Sequence, residues 1–122
     1  MLHHVQCDQA MWSTSPVADI AELHRRIDEF LDARDWRRLH TPKNLAMALT
    51  GEVGELVEVL QWLTPEEADR AGADPELRAR LEDELADVLI YLASLAKVLD
   101  VDLIEVALTK VAPNEQRFPA GP

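Results

Sequence analysis

Two pairs of acidic residues have the spacing of side chains that share one face of a helix. Glu52 and Glu55 are three residues apart, and Glu84 and Asp87 repeat that spacing later in the chain. Both pairs lie among leucines and valines at helical spacing, so a bundle that packs by these apolar stripes brings the four carboxylates together. Like charges at such short range repel or raise one another's pKa values, so the cluster calls for a cation.

The ligand chemistry of this acidic cluster indicates a hard divalent cation. Carboxylate oxygens without nearby histidine or cysteine favour Mg²⁺, or Mn²⁺. A di-iron bundle matches less well because its Glu-x-x-His motifs are missing, and no glycine-rich phosphate loop is present. The alternative is that the carboxylates flank the apolar stripe and point to solvent, as most helical glutamates do.

Two glycines, Gly51 and Gly54, flank the first acidic pair inside the same predicted helix. Each costs about 1 kcal/mol of helix stability relative to alanine. We therefore expect another helix or a ligand to approach closely beside them.

The elements that must position these residues are predicted to be helices. Cap-then-proline signals begin long amphipathic segments, and no segment alternates with the period of a strand. The predicted helices cover residues 15–34, 42–63, 75–99 and 103–112, with a short helical turn near 65–72. Pro113 is predicted to interrupt the last helix, because proline lacks the amide donor and clashes with the preceding turn. The expected fold class is all-α, a four-helix antiparallel bundle that forms oligomers.

The predicted organisation is one helical domain over residues 15–119, preceded by an irregular arm at 1–14 and followed by a tail at 120–122. A formal net charge of −11 lacks the basic footprint of nucleic-acid binding, so no DNA or RNA polymer is expected as a partner. No apolar run approaches the roughly 18 residues of a membrane span, and no signal-peptide pattern opens the chain. The single cysteine, Cys7, fits a reducing compartment. We therefore expect a cytoplasmic protein without a membrane partner.

The acidic motifs resemble those of a known family. Glu52-x-x-Glu55, then 28 residues, then Glu84-x-x-Asp87 is similar to the pattern of the all-α nucleoside triphosphate pyrophosphohydrolases, the MazG-like superfamily. The stretches NLAMALTGEVGELVEVLQW (44–62) and LEDELADVLIYLASLAKVLDVDL (81–103) look most like its dCTP pyrophosphatase branch. The resemblance implies Mg²⁺-dependent cleavage of dCTP, or a modified dCTP, to the monophosphate and pyrophosphate. The implied role is sanitation of the nucleotide pool.

The resemblance also assigns roles to individual residues. It implies that the four carboxylates hold the metal, and that Glu52 or Glu55 takes the proton of the attacking water. Helical spacing places Trp62 and Tyr91 on the metal-bearing face, although core packing is the usual role of such aromatic residues. The positions that match substrate recognition are His24, Trp36, Trp62, Tyr91, Lys110, Asn114 and Arg117.

Other functions stay open at this point. The same superfamily resemblance embraces hydrolysis of dUTP, of dNTPs in general and of phosphoribosyl-ATP, and the carboxylates cannot separate these substrates because they meet only phosphate and metal. A helical module that binds a partner without catalysis is the alternative from another class. The resemblance further implies a homo-oligomer, a dimer or a dimer of dimers, in which His24 and Trp36 reach a site on a neighbouring subunit.

Overall fold

The computed structural model describes residues 19–121, and helices dominate this range. The α-helices described are α1 (Ile20–Arg34), α2 (Pro42–Leu60), α3 (Pro65–Asp69), α4 (Pro75–Val98) and α5 (Leu103–Arg117). Short 3₁₀ turns at Arg37–Leu39 and Ala71–Ala73 precede α2 and α4. No strand occurs in this part of the chain, so the all-α prediction is confirmed. Among these residues, none of the helices has the length and hydropathy that a membrane span requires.

Side-chain caps determine where three of the helices begin. The Thr41 hydroxyl accepts a hydrogen bond from a first-turn amide of α2 at 3.2 Å, and the Asp74 carboxylate accepts two such bonds at α4. At α3, Thr64 and Glu67 form a reciprocal capping box, with bonds of 2.9 and 3.2 Å. These bonds satisfy amides that have no partner within the helix. The starts predicted for α2, α3 and α4 are confirmed.

α1 begins later than predicted. Asp19 has an extended backbone, with φ of −139°, and its carboxylate accepts a hydrogen bond from the Glu22 amide at 2.9 Å. This cap starts the helix at Ile20 rather than at residue 15. Ser15 and Pro16, which carried the prediction, lie outside the described residues, as does the predicted arm at 1–14.

The last helix is longer than predicted, because Pro113 does not end it. α5 continues through Pro113 to Arg117, and the Phe118 amide then donates to the Asn114 carbonyl at 2.9 Å. Proline deprives the carbonyl four residues earlier of its usual donor. Residues 104–117 are exposed, so water can reach that carbonyl and the helix tolerates the proline. The interruption predicted near residue 112 is therefore wrong.

The chain divides into two compact units between Arg37 and Arg38, the first with α1 and the second with α2 to α5. In the second unit, the main contact is between α2 and α4. Leu63, just beyond α2, and Leu77, near the start of α4, line one shallow cavity, so these two helices run antiparallel. The buried apolar residues of this unit are Leu45, Val59, Ala71, Ala93 and Ala96. The domain boundaries inferred from the sequence stay a prediction.

Candidate active site

Three glutamates meet where α2 packs on α4. Glu52 and Glu84 take positions in the apolar stripes of the two helices and are half-buried, whereas Glu55 lies at the edge of the contact and is exposed. Each glutamate offers one carboxylate oxygen, and the three oxygens lie within 4.8 Å of one another. The structure thus brings together three of the four carboxylates that the spacing singled out.

Asp87, the fourth carboxylate, lies one turn beyond Glu84 on α4 and is half-buried. It is not one of the three residues whose oxygens meet. Its charge nevertheless helps to raise the pKa of both Glu52 and Glu84, so it acts on the cluster from nearby. Asp83, which was not among the predicted site residues, also raises the pKa of Glu84. The only signal in the sequence for that role is its place next to Glu84.

The electrostatics of the cluster fit a cation. Burial, the neighbouring Glu55 carboxylate and the charges of Asp87 and Glu84 together raise the pKa of Glu52 to about 7. Burial, followed by the nearby Glu55, also raises the pKa of Glu84. Oε2 of Glu52 and Oε2 of Glu84 are buried, and neither has a hydrogen-bond partner among the described residues. Buried carboxylate oxygens without donors are suited to coordinate a hard metal ion.

Two aromatic residues flank the part of the molecule that carries the carboxylates. Trp62 lies in the turn after α2, which ends at Leu60 rather than at residue 63 as predicted, and 85% of its side chain is exposed. Tyr91 is half-buried on α4, one turn beyond Asp87. An indole exposed to this extent leaves its flat face available for stacking.

The three polar residues predicted to bind the triphosphate all lie on α5. Lys110, Asn114 and Arg117 are separated by four and three residues, which places them on one face of a continuous helix. All three are exposed. The helical path through Pro113 is what aligns them, because the predicted break would have separated Lys110 from the other two.

His24 and Trp36 belong to the first unit, and the carboxylates belong to the second. His24 lies on α1, where its Nδ1 atom is buried and has no hydrogen-bond partner among the described residues. Trp36 follows α1, and 45% of its side chain is exposed. The Trp36 indole contacts the ring of Phe30, with 5.8 Å between centroids and an edge-to-face angle of 68°. This contact was not predicted from the sequence.

The close approach predicted beside the two glycines of α2 does not occur within the described part of the chain. A Cβ atom added at Gly51 or at Gly54 would meet no heavy atom within 4 Å. Among the described residues, this side of α2 faces open space, whereas Leu45 and Val59 of the same helix are buried.

Known proteins resemble this chain in both sequence and structure. Residues 40–121 match the MazG nucleotide pyrophosphohydrolase domain. The chain is 46% identical over 109 residues to dCTP pyrophosphatase 1 of Homo sapiens, covering 89% of this chain and 64% of that protein. It is 44% identical over 108 residues to dCTP pyrophosphatase 1 of Rattus norvegicus, covering 88% of this chain and 64% of that protein. The chain thus spans a little under two thirds of the length of these curated relatives.

A solved structure shares the fold. The crystal structure of a pyrophosphatase from Archaeoglobus fulgidus is similar with a TM-score of 0.76 and 38% sequence identity, covering 83% of this chain and 93% of that chain. The domain match extends over more than half of the sequence and includes all four acidic motif positions. The chain therefore belongs to the MazG nucleotide pyrophosphohydrolase family.

Proposed function

We propose that this chain is a metal-dependent nucleotide pyrophosphohydrolase that cleaves dCTP, or a modified dCTP, to the monophosphate and pyrophosphate. The observation that carries the proposal is the meeting of carboxylate oxygens from Glu52, Glu55 and Glu84 within 4.8 Å. Family membership supports the reaction, and the relatives named dCTP pyrophosphatase 1 support the substrate. Cleavage of surplus or modified dCTP would sanitise the nucleotide pool.

The carboxylate cluster is the proposed metal site, with Glu52, Glu55 and Glu84 as ligands and Asp87 as the fourth acidic group. An all-oxygen ligand set favours Mg²⁺, and Mn²⁺ is the second choice. A divalent ion bound there neutralises phosphate charge and lowers the pKa of a bound water. Glu52 and Glu84 each have a buried carboxylate oxygen with no hydrogen-bond partner among the described residues, which supports this assignment.

The side chains around the cluster supply binding and proton transfer. Glu52 or Glu55 accepts the proton of the attacking water, since both carboxylates lie in the cluster. Stacking on the base and contact with the sugar are assigned to the residues with aromatic or imidazole rings, which are His24, Trp36, Trp62 and Tyr91. Contacts with the triphosphate are assigned to the polar residues of α5, which are Lys110, Asn114 and Arg117.

The proposed active form is a homo-oligomer, a dimer or a dimer of dimers. Ile104, Leu108 and Val111 share one face of α5, and their exposed fractions are 50, 68 and 47%. A monomer rarely leaves such an apolar stripe in water, and a second copy related by a two-fold axis would cover it. Sedimentation equilibrium should give a multiple of 13.7 kDa, and Leu108→Glu should lower it. A wild-type mass of one chain would contradict this part of the proposal.

Product analysis tests the reaction and the substrate together. The protein is incubated with dCTP, dUTP, dATP, dGTP, dTTP or CTP, with Mg²⁺ and with chelator. We expect Mg²⁺-dependent release of pyrophosphate and dCMP, fastest for dCTP, that Glu84→Gln abolishes. Glu58→Gln is the matched control, since Glu58 is an exposed glutamate of α2 outside the cluster. Faster turnover of dUTP or of all dNTPs would keep the chemistry and change the substrate.

Thermal unfolding separates the enzyme from a binding module without catalysis. A ligand that binds only the folded state stabilises it by RT ln(1 + [L]/Kd), about 2.7 kcal/mol at a hundredfold excess over Kd. Mg²⁺ with a non-hydrolysable dCTP analogue should therefore raise the Tm of the wild type. No rise and no turnover of any triphosphate would favour the module.

The net charge of −11 argues against nucleic-acid polymers as partners, and the cytoplasmic location stays a prediction.

A further inference from the structure

The end of α1 fixes the backbone of Trp36. Asp35 adopts the left-handed conformation, with φ of 54° and ψ of 45°. The Trp36 amide donates to the Leu31 carbonyl at 3.1 Å, and the Asp35 amide donates to the Asp32 carbonyl at 3.4 Å. Hydrogen bonds of this type close helix C-termini, and aspartate tolerates the left-handed conformation better than most residues. The backbone of Trp36 is thereby anchored to the last turn of α1.

The side chain of Trp36 contacts Phe30, and Phe30 in turn contacts Arg34. These two residues of α1, Phe30 and Arg34, are called the row below. The Trp36 indole meets the Phe30 ring edge to face, with 5.8 Å between centroids. The Arg34 guanidinium lies over the Phe30 ring, 3.7 Å from its centroid, and its Nη1 donates to the Phe30 carbonyl at 3.0 Å. Both contacts have the geometry that aromatic quadrupoles favour. Phe30 is thus in contact with both Arg34 and the Trp36 indole.

The residue after Trp36 is also tied back to α1. The Arg37 guanidinium forms an ion pair with Asp32 that includes a hydrogen bond of 3.2 Å, and it lies 3.4 Å from a carboxylate oxygen of Asp28. The backbone on both sides of Trp36 is therefore fixed: the hydrogen bonds at the C-terminus of α1 precede it, and the ion pairs of Arg37 with Asp32 and Asp28 follow it. With 45% of the side chain exposed, part of the indole surface stays available to a ligand.

We propose that Phe30 and Arg34 are positioning residues that hold the Trp36 indole in the orientation in which it stacks on the nucleobase. The inference rests on the proposed function, in which Trp36 takes part in base recognition. A side chain ordered before binding loses little rotamer freedom when the ligand arrives, so the row increases affinity for the base. Phe30 and Arg34 have no part in the phosphate chemistry. A substitution that loosens their contacts with Trp36 therefore raises KM and leaves kcat unchanged.

Paired substitutions at exposed positions test this role without emptying the core. Phe30→Leu removes the ring but keeps apolar bulk, whereas Phe30→Tyr keeps the ring; Phe30 is 47% exposed, so both variants should fold. Arg34→Met removes the guanidinium above the ring. Arg26→Met is its matched control, since Arg26 is an exposed arginine of α1 outside the row.

Two readouts are needed. The first is fluorine NMR of protein labelled with fluorotryptophan, in which Trp36→Phe assigns the Trp36 resonance. The second is KM and kcat for the nucleotide that is turned over fastest. For Phe30→Leu we expect a shifted, broadened Trp36 resonance and a KM about three- to tenfold higher, with kcat within about twofold of wild type. Arg34→Met should change both readouts in the same direction, and Phe30→Tyr and Arg26→Met should match wild type.

The outcomes separate this inference from the proposed function. An unchanged KM in Phe30→Leu, in an enzyme whose KM rises with Trp36→Ala, would overturn the positioning role and leave the reaction intact. An equal rise in KM for Arg26→Met would also overturn it, because the effect would not then belong to the row. A wild type that hydrolyses no triphosphate would instead refute the proposed function, and no result with Phe30 could do so.

Discussion

Replacing Glu52 by glutamine should stabilise the metal-free protein. Burial, together with the neighbouring carboxylates, raises the pKa of Glu52 from 4.5 to about 7. A carboxyl group with a raised pKa holds its proton longer in the folded protein than in the unfolded chain, so stability falls as pH rises between those two values. At about pH 8 the destabilisation is fully developed. Glutamine has a similar shape and carries no charge at any pH, so the variant avoids this cost.

The size of the effect follows from the pKa of Glu52. A rise from 4.5 to about 7, at about 1.36 kcal/mol per unit, corresponds to roughly 3 kcal/mol if fully realised. Glu52 is only half-buried, and screening by solvent reduces this to about 1–2 kcal/mol. For a domain of this length, that stabilisation raises Tm by roughly 4–8 °C.

The assay is thermal unfolding by circular dichroism, with chelator, at about pH 8 and at about pH 5. The gain of Glu52→Gln should be largest at the higher pH, and Glu58→Gln should stay within about 0.5 kcal/mol of wild type. Added Mg²⁺ should raise the Tm of the wild type more than that of Glu52→Gln, because the variant lacks a ligand. A Glu52→Gln protein no more stable than wild type at the higher pH, with Glu58→Gln unchanged, would refute the electrostatic reasoning.

Substitutions at three further positions test the scaffold. Leu45→Ala opens a cavity at a side chain that is only 2% exposed, and denaturant titration should show that it destabilises the fold by about 2–5 kcal/mol. A loss of stability below about 1 kcal/mol would show that Leu45 is not a core residue. Thr64→Ala breaks the capping box with Glu67 and should lower the free energy of unfolding by about 1 kcal/mol, and Thr64→Ser should keep most of that stability. Equal melting temperatures for the wild type and both variants would contradict the cap. Pro113→Ala restores an amide donor inside α5 and should stabilise that helix by about 1–3 kcal/mol. The gain should be measured as slower amide hydrogen exchange over residues 114–117, and unchanged exchange there would contradict a continuous helix.

Local chemistry was sufficient to predict much of the scaffold. Thr41, Thr64 and Asp74 each stand before a proline, and each caps a helix in the structure. These signals act within four residues, so they can be recognised without knowledge of the fold. The same is true of the acidic residues Glu52 and Glu84, because three- and four-residue spacing within an apolar stripe already places them on the packing face of a helix.

Features that depend on the surroundings of a residue could not be predicted in this way. The sequence contains a proline at 113 but does not show that residues 104–117 are exposed in the folded chain, and that exposure is what allows the helix to continue. The spacing treats Glu55 and Asp87 alike, yet only Glu55 offers an oxygen to the cluster, because its distance from the facing helix depends on how α2 and α4 pack. The contact between Phe30 and Trp36 likewise requires the left-handed turn at Asp35.

The sequence by itself therefore determined the helical class, the starts of α2, α3 and α4, and the acidic positions directed at a common interface. The tertiary structure decided which of those carboxylates meet, how strongly burial raises the pKa of Glu52, and which side of α2 remains open beside Gly51. The physical reason is one of range. Caps and helical faces depend on bonds between near neighbours in the chain, whereas burial and charge coupling depend on groups that only packing brings together.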